Sequence, residues 1–258
     1  MAVTIKSPRE IELMRKAGEI LAMTHEELRK AIRPGMSTLD IDRLGEKIIR
    51  SHGCIPSFKN YNGYPASICV SVNDEVVHGI PSRSRILKEG DIVSLDAGVI
   101  YKGYHSDAAR TWAVGKVSEE AQKLMDVTKQ SFFEGIKFAR AGNHLGDISA
   151  AIQSYAESFG YGVVRDLVGH GIGTHLHEDP EVPNFATKRK GILLRPGMTL
   201  AVEPMINMGT YEVLWMDDEW TVVSRDHSLS AHYENTILIT EGEPEILSLL
   251  RDQDDHQK

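Results

Sequence analysis

The sequence DIVSLDAGVIYKGYHSDAARTWAV, residues 91–114, decides the fold because it holds two β-forming runs joined by a short turn. Strand-favouring residues recur in both runs, and Lys102-Gly103 between them is typical of a hairpin turn. The stretch therefore predicts an antiparallel pair of strands that carries Asp96 and, eleven residues later, Asp107. In such a pair the two side chains lie on one face, opposite or diagonal, with Cβ atoms about 5–8 Å apart.

An internal repeat extends this pattern to the whole chain. Sliding the sequence against itself by 107 positions gives identical residues at Arg33/Arg140, Gly35/Gly142, Asp40/Asp147, Ile41/Ile148, Ser51/Ser158, Gly53/Gly160, Leu87/Leu194 and Gly90/Gly197. Each half reads as two helices followed by strands. We therefore predict an α+β fold in which two pseudo-symmetric halves, about residues 1–108 and 109–250, surround a curved, largely antiparallel sheet covered by helices on one face. No low-complexity linker separates the halves, so residues 1–258 are predicted to form a single domain.

Capping signals mark the helices of both halves. Residues 7–10, SPRE, form a capping box with proline at the first helical position, and the second helix is predicted to stop at Gly53. In the second half, Ser118 is predicted to cap a helix that runs toward Gly142, and residues 145–160 repeat the short helix that ends in glycine.

Composition and charge limit the function classes. With 258 residues, of which 41% are apolar, the chain can form a packed core. The formal net charge of −8, without a long basic run, argues against a nucleic-acid groove. Cys54 and Cys69 are the only cysteines, the N-terminus lacks the apolar core of a signal peptide, and no apolar stretch approaches the ~20 residues of a membrane span. We therefore expect a cytoplasmic protein that binds neither DNA nor a membrane.

Acidic residues at matched positions of the two halves suggest a shared ligand. Asp96 and Glu203 are aligned by the repeat, and each follows an apolar run, so each is predicted at the end of a strand. Buried carboxylates are costly unless a cation receives them, although a structural ion pair is an alternative for either acid alone. Asp107, close to Asp96, and Glu234, which enters another apolar run, complete four candidate acids. Divalent cations would relieve the repulsion between neighbouring carboxylates better than protonation would at neutral pH.

The sequence LVGHGIGTHLHEDP, residues 167–180, carries His170, His175 and His177 within eight residues. A phosphate loop is disfavoured because the GxGxxG spacing and its strand-to-helix context are absent, and a solvated turn does not need three imidazoles. A metal-binding segment fits best, since glycines let the backbone approach a cation. His78, in VNDEVVHGIP, is the matching candidate of the first half. Four carboxylates and one imidazole favour a pair of Mn, Fe, Co or Zn ions over a lone structural zinc, and such a pair could serve hydrolysis.

Together these motifs resemble those of type I methionine aminopeptidases, which are metallopeptidases of the pita-bread fold. The resemblance covers nearly the whole chain, from IKSPREIELMRKAG to HYENTILIT. It rests on VNDEVVHGIP, LDAGVIYKGYHSDAARTW, GHGIGTHLHEDP, TLAVEPM and LSAHYENT. It implies removal of the N-terminal methionine from nascent polypeptides that have a small second residue, by a centre of two divalent metal ions, Co, Mn, Fe or Zn.

The resemblance also implies a role for each metal-site residue. Asp96 would hold one metal ion, His170 and Glu203 would hold the second, and Asp107 and Glu234 would bridge both. Glu203 is further implied as the proton acceptor for the attacking water.

Substrate contacts follow from the same resemblance. His177 would contact the scissile peptide, and His78 would contact the residue after the methionine. The residues implied to line the methionine pocket are Tyr61, Tyr64, Cys69, Met205 and Trp220. Leu176, Phe58 and His232 depart from the residues most frequent in the family. These departures concern pocket shape and catalytic efficiency rather than the metal ligands.

Two other functions compete with this interpretation. An X-prolyl aminopeptidase or prolidase of the same fold shares the D-x-G and GYHSD-like patterns, and a metal-free pita-bread protein would act as a binding module. The first usually carries an extra N-terminal domain, and the second would lack at least one of the acids.

We also expect a monomer. The cluster Lys188-Arg189-Lys190 is interpreted as a solvated loop, with a transient contact to ribosomal RNA as the alternative.

Overall fold

A computed structural model describes residues 3–250. These residues form four α-helices, one short 3-10 helix and fifteen strands. The helices are α1 (Pro8–Ala31), α2 (Thr38–Ser51), α3 (Glu119–Ile136) and α4 (Leu145–Glu157), and the 3-10 helix is Tyr61–Gly63. The strands of the first half are β1 (Ile55–Pro56), β2 (Ile68–Val72), β3 (Glu75–Val77), β4 (Ile92–Tyr101) and β5 (Tyr104–Ala113). Those of the second half are β6 (Gly162–Val163), β7 (Gly169–Gly171), β8 (Glu178–Val182), β9 (Thr199–Val202), β10 (Met205–Asn207), β11 (Val213–Trp215), β12 (Val222–Ser224), β13 (Ser230–His232), β14 (Asn235–Leu238) and β15 (Glu245–Ile246).

Local signals start α1 and α3 where they were predicted to start, and a further capping box starts α2. Ser7 and Ser37 each form a complete capping box at the start of α1 and α2, and the Ser118 side chain caps α3. Helix α3 ends well before Gly142, which lies in a left-handed turn with φ of 89°. Every helix within residues 3–250 is too short or too polar to cross a bilayer.

The strands pair in an antiparallel manner throughout the described part of the chain, but they form four sheets instead of one continuous curved sheet. The orders are β1-β4-β2 with β5 paired to β4, β13-β10-β6, β11-β12-β3, and β15-β14-β9-β7-β8. One break lies between β9 and β10 at Pro204, whose nitrogen has no proton to donate to a ladder. Hydrogen bonds join the two larger sheets: among them, the Glu234 N–H donates to Ala109 O (2.9 Å), and the Asp107 N–H donates to Thr236 Oγ1 (2.8 Å).

Equivalent backbone contacts recur in the two halves at the offset of 107 residues. An isolated antiparallel bridge between Ser37 and Ile86 recurs between His144 and Leu193. Next to these bridges, the Gly35 N–H donates to Leu87 O (2.8 Å) in the first half. The Gly142 N–H donates to Leu194 O (3.1 Å) in the second half. The two halves therefore share local geometry as well as sequence. The predicted division near residue 108 falls inside β5, so it does not coincide with the end of an element.

One hydrophobic cluster lies where the two halves meet. It contains Met14 and Cys69 from the first half together with Leu176 and Leu238 from the second, all buried. Side chains from both halves thus share one core, as a single domain requires. The first two and last eight residues of the predicted domain lie outside the described residues.

Candidate active site

The β4–β5 hairpin carries the first two carboxylates. Its turn is Lys102-Gly103, both with positive φ, as a two-residue type I′ turn requires. Asp107 pairs with Gly98 and Asp96 pairs with Ala109, so the two acids are diagonal neighbours on one face of the sheet. The prediction that Asp96 ends a strand is wrong, because β4 continues to Tyr101. Asp96 lies mid-strand, where it pairs with Cys69 of β2 on one side and with Ala109 of β5 on the other.

Two further carboxylates come from neighbouring strands of the five-stranded sheet. Glu203 directly follows β9, as predicted, and Glu234 directly precedes β14. Because Asn235 pairs with Val202 in the antiparallel ladder, the chain positions of the two acids lie side by side. The Glu234 N–H also donates to the carbonyl of Ala109, which brings Glu234 to the hairpin that carries Asp96 and Asp107.

His170 lies in the middle of β7, between β8 and β9. A Cβ atom added at Gly169 would lie 2.3 Å from Ala201 O, and one added at Gly171 would lie 2.2 Å from Asp179 O. The glycines around His170 therefore allow close strand packing, which differs from the predicted approach of the backbone to a cation. His170 Nδ1 lies 2.8 Å from Gly171 O and must donate to it, since a carbonyl only accepts.

This hydrogen bond leaves a lone pair on the other ring nitrogen of His170. Its Nε2 lies 3.8 Å from Asp107 Oδ2 and 3.7 Å from Glu203 Oε1. Metal-ligating histidines commonly donate their second N–H to a carbonyl or carboxylate in this way, which fixes the tautomer and the ring orientation.

Burial dominates the electrostatics of the cluster. It raises the pKa of Asp96 to about 7 and holds the pKa values of Asp107, Glu203 and Glu234 well above their usual range. The neighbouring carboxylates of Asp96 and Glu203 add to this upward shift in the pKa of Asp107. Burial also lowers the pKa of His170 to about 3, so the ring is neutral at pH 7. Because four acids are buried together beside a neutral imidazole, the ionised form of each carboxyl group is strongly disfavoured unless a cation is present.

The donor set fits a divalent metal. Asp96 Oδ1, Asp107 Oδ1 and Glu234 Oε1 are buried and have no hydrogen-bond partner within residues 3–250. Ligand atoms of Asp107, His170 and Glu234 lie within 4.8 Å of one another. Carboxylate oxygens and a neutral imidazole are suitable ligands for first-row divalent ions, and unpaired buried oxygens are otherwise costly.

A cavity of about 230 Å³ opens above these carboxylates. The predicted site residues that line it are Tyr61, Tyr64, Cys69, His78, Asp96, Asp107, His170, His177, Glu203, Trp220 and Glu234. Three aromatic contacts organise its wall. The Tyr64 and Trp220 rings pack edge to face at 5.1 Å, the His78 and Trp220 rings lie 6.4 Å apart, and Tyr61 Oη lies 2.7 Å from His177 Nδ1. The His170 and His177 rings lie 4.2 Å apart, which places His177 at the metal-site end of the cavity.

The structure does not bring Met205 to this cavity, and that prediction is wrong. Met205 is 1% exposed and packs in a core with Val77, Val164 and Val222. Although it is close in sequence to Glu203, it begins β10, which belongs to a different sheet from β9. His175 is also turned away from the cluster, with 65% of its side chain exposed.

Sequence reasoning missed Asn62 among the cavity residues. Asn62 adopts φ of 50° within the 3-10 helix, next to Gly63, and this helix presents Tyr61 and Asn62 to the cavity. The Asn-Gly dipeptide between two tyrosines was the available signal, because it is typical of tight turns. Phe58 and Leu176, noted from sequence as departures from the family pattern, also line the cavity.

A cavity with buried carboxylates and imidazoles at its base, in an antiparallel α+β fold, defines the class of metal-dependent hydrolases. Residues 12–241 match the model of metallopeptidase family M24. A methionine aminopeptidase of Clostridium acetobutylicum is 58% identical over 247 residues, which cover 96% of this chain and 99% of the relative. The crystal structure of a methionine aminopeptidase from Thermotoga maritima aligns with a TM-score of 0.94 at 47% identity, covering 96% of this chain and 100% of that chain.

The chain belongs to metallopeptidase family M24. These relatives confirm the predicted resemblance to methionine aminopeptidases, the pita-bread fold and a metal-dependent aminopeptidase activity. An Xaa-Pro dipeptidase from Bacillus anthracis shares the fold with a TM-score of 0.78 at 27% identity, and the match covers 95% of this chain but 61% of that longer chain.

Proposed function

We propose that the chain removes the N-terminal methionine from peptides and nascent proteins, with a preference for a small second residue. The observation that carries this proposal is the convergence of Asp96, Asp107, His170, Glu203 and Glu234 at the base of one cavity whose wall is largely aromatic. Such an arrangement suits a substrate that offers a polar peptide group to the base and an apolar side chain to the wall.

The metal centre is proposed to hold two divalent ions, drawn from Mn, Fe, Co and Zn. Asp96, Asp107, His170, Glu203 and Glu234 would hold these ions. Ligand atoms of Asp107, His170 and Glu234 lie within 4.8 Å of one another, and Asp96 and Glu203 line the same cavity, which supports a shared metal centre. The count of two ions is what the resemblance to methionine aminopeptidases implies. When bound, such ions polarise a carbonyl and make a water nucleophilic at neutral pH.

The side chains around this centre bind the peptide and move protons. Glu203 would accept a proton from the attacking water, because its carboxylate lines the cavity next to the other metal-site groups, with Oε1 3.7 Å from His170 Nε2. His177 would donate a hydrogen bond to the scissile carbonyl oxygen as negative charge develops there. Burial lowers the pKa of His78 to about 4, so its ring is neutral at pH 7 and offers one N–H to the peptide group of the second residue.

The cavity wall accounts for methionine specificity. Tyr64, Cys69 and Trp220 line it, and a thioether gains from contacts with aromatic edges and soft, adaptable neighbours. The volume of about 230 Å³ is below the roughly 300–1,000 Å³ of common ligand cavities. This small volume supports the preference for a small second residue.

Peptide hydrolysis after metal removal tests the proposal. The protein is treated with a chelator, and Mn, Fe, Co and Zn are returned separately while release of methionine from Met-Ala-Ser is measured. We expect no release without metal and restored release with at least one ion. Leu-Ala-Ser serves as the side-chain control, and Ala-Pro-Ser tests the proline-specific alternative. Faster cleavage of the proline peptide than of Met-Ala-Ser would overturn the assignment. Full activity in the chelated protein would overturn the metal mechanism.

The proposed setting is the cytoplasm, where a monomer would act on N-termini of nascent chains. Cys54 and Cys69 are free and buried, in keeping with a reducing compartment. Lys188, Arg189 and Lys190 are exposed, so they are available for a transient ribosome contact. Co-sedimentation with ribosomes, compared between the parent and a variant with these three charges neutralised, tests that contact. Identical profiles would leave the segment as a solvated loop.

A further inference from the structure

His232 is a buried histidine next to the metal-site acids, yet neither of its ring nitrogens has a hydrogen-bond partner within the described residues. The residue is 1% exposed, and its backbone is fixed on two sides. Its N–H donates to Thr111 Oγ1 (2.8 Å), the same hydroxyl donates to its carbonyl (2.9 Å), and it pairs with Met205 of β10. A polar ring held so firmly in the interior requires a partner.

The Glu203 carboxylate lies beside this ring. His232 Nε2 lies 3.5 Å from Glu203 Oε2, slightly beyond a formed hydrogen bond. His170 is the other imidazole beside Glu203, with Nε2 at 3.7 Å from Oε1. Because the proton of neutral His170 is donated to Gly171 O, its Nε2 has no hydrogen to offer. His232 is therefore the imidazole with an N–H available for Glu203.

We propose that His232 is a positioning residue that donates a hydrogen bond from Nε2 to Glu203 Oε2 and so orients this carboxylate for metal binding and proton transfer. The inference rests on the proposed function of Glu203. Partners of metal ligands act in this way in general, since they fix the ligand orientation and raise its basicity.

Direct coordination by His232 is the competing role, because its ring lies in a donor group with Glu203 and Glu234. The two histidines differ in one respect that decides between the roles. His170 has its second ring nitrogen bonded to a carbonyl, as ligating histidines do, whereas Nδ1 of His232 has no such partner. The hydrogen-bond role needs only one nitrogen and no support for the other.

Two substitutions of His232 separate the effect of its N–H donor from the effect of its side-chain volume. His232→Gln keeps a side-chain N–H of similar reach, and His232→Leu fills the space without a donor. We expect His232→Leu to lower both the Mn²⁺ affinity, measured by calorimetry, and kcat on Met-Ala-Ser, each about 10–100-fold, with KM nearly unchanged. His232→Gln should retain most of both, and its Co²⁺ absorption spectrum should match that of the parent.

His25→Gln is the matched control, because His25 is equally buried, bonds Ala108 O, and lies outside the cavity. It should lower thermal stability without changing Mn²⁺ affinity. Parent-like affinity and kcat in His232→Leu would overturn the proposal. So would a His232→Gln variant as defective as His232→Leu with an altered Co²⁺ spectrum, which would identify His232 as a ligand. If the parent does not cleave Met-Ala-Ser but the two variants still differ in Mn²⁺ affinity, the proposed function fails and the positioning role stands.

Discussion

Asp107 is a buried acid close to two other carboxylates of the site, Asp96 and Glu203. Asp96 and Glu203 both act on its carboxyl group, and together with burial they raise its pKa well above the ordinary value. The same residue is 4% exposed and one of its oxygens has no partner among the described residues. Removal of this charge therefore changes both the metal affinity and the stability of the metal-free protein.

We expect Asp107→Asn to lose nearly all hydrolysis of Met-Ala-Ser and to bind fewer metal ions per chain. The metal-free variant should nevertheless be more stable than the metal-free parent at pH 7.5, because asparagine is buried beside the other acids without taking up a proton. Metal analysis by mass spectrometry, kinetics and thermal unfolding measure the three effects. Asp126→Asn, on the exposed face of α3, is the control and should leave all three unchanged. Parent-like activity in Asp107→Asn would count against the enzyme mechanism.

At the scale of elements, a buried ion pair fixes the segment before α1 to the strand that follows His177. Lys6 Nζ lies 2.6 Å from Glu178 Oε2, and both side chains are 5% exposed. The Lys6 N–H also donates to Gly197 O (2.8 Å), and Glu178 Oε1 accepts the N–H of His175 (3.2 Å). The loop that carries His177 therefore depends on a contact with the N-terminal segment.

Lys6→Met should destabilise the protein by about 3–5 kcal/mol, because it leaves the Glu178 carboxylate buried without its cation. Urea unfolding measures the change. The double variant Lys6→Met/Glu178→Leu should recover much of the loss, since an apolar pair can replace a buried ion pair of similar volume. Lys16→Met is the control: its pair with Glu19 is exposed, so the cost should stay below about 1 kcal/mol. A cost for Lys6→Met equal to that of the control would show that the buried pair contributes little.

At the scale of the whole molecule, two sets of buried groups oppose each other in their response to pH. The four carboxylates have raised pKa values in the fold, so their contribution to stability is lost as pH rises, for Asp96 through about 7. His78 and His170 have pKa values lowered from 6.5 to about 4 and 3, so their contribution is lost as pH falls below 6.5. As pH rises above 6.5 the imidazoles become neutral in both states, and the carboxylates then dominate the change in stability.

We therefore expect the unfolding temperature of the chelated protein to fall between pH 6.5 and 8. The Mn²⁺-loaded protein should fall less, because the metal binds the ionised carboxylates and its stabilisation grows as they lose protons. Thermal unfolding with and without Mn²⁺ across this range checks the expectation. The double variant Asp96→Asn/Asp107→Asn should flatten the slope of the chelated protein. A chelated parent that gains stability over the same range would contradict the assigned pKa directions.

Much of this molecule could be predicted from sequence where the deciding interactions are local. The β4–β5 hairpin is one case, since a two-residue turn fixes the register and hence the diagonal placement of Asp96 and Asp107. The capping box at Ser7 is another, because its partner lies three residues away. The 107-residue repeat further predicted that an acid at the position of Glu203 matches Asp96.

The rest was decided by tertiary structure, since strand periodicity tells which face is buried but not which distant side chains meet there. Pairing of β14 with β9 places Glu234 beside Glu203. Pairing of β7 with the other edge of β9 places His170 close to both acids. Met205, although close to Glu203 in sequence, packs instead in a core with Val77, Val164 and Val222. The tertiary structure also places His232 against Glu203. Sequence by itself therefore determined the fold class, the hairpin and the set of candidate ligands. Only long-range strand pairing decided which of these residues share a cavity, because contacts between distant strands leave no local pattern in the chain.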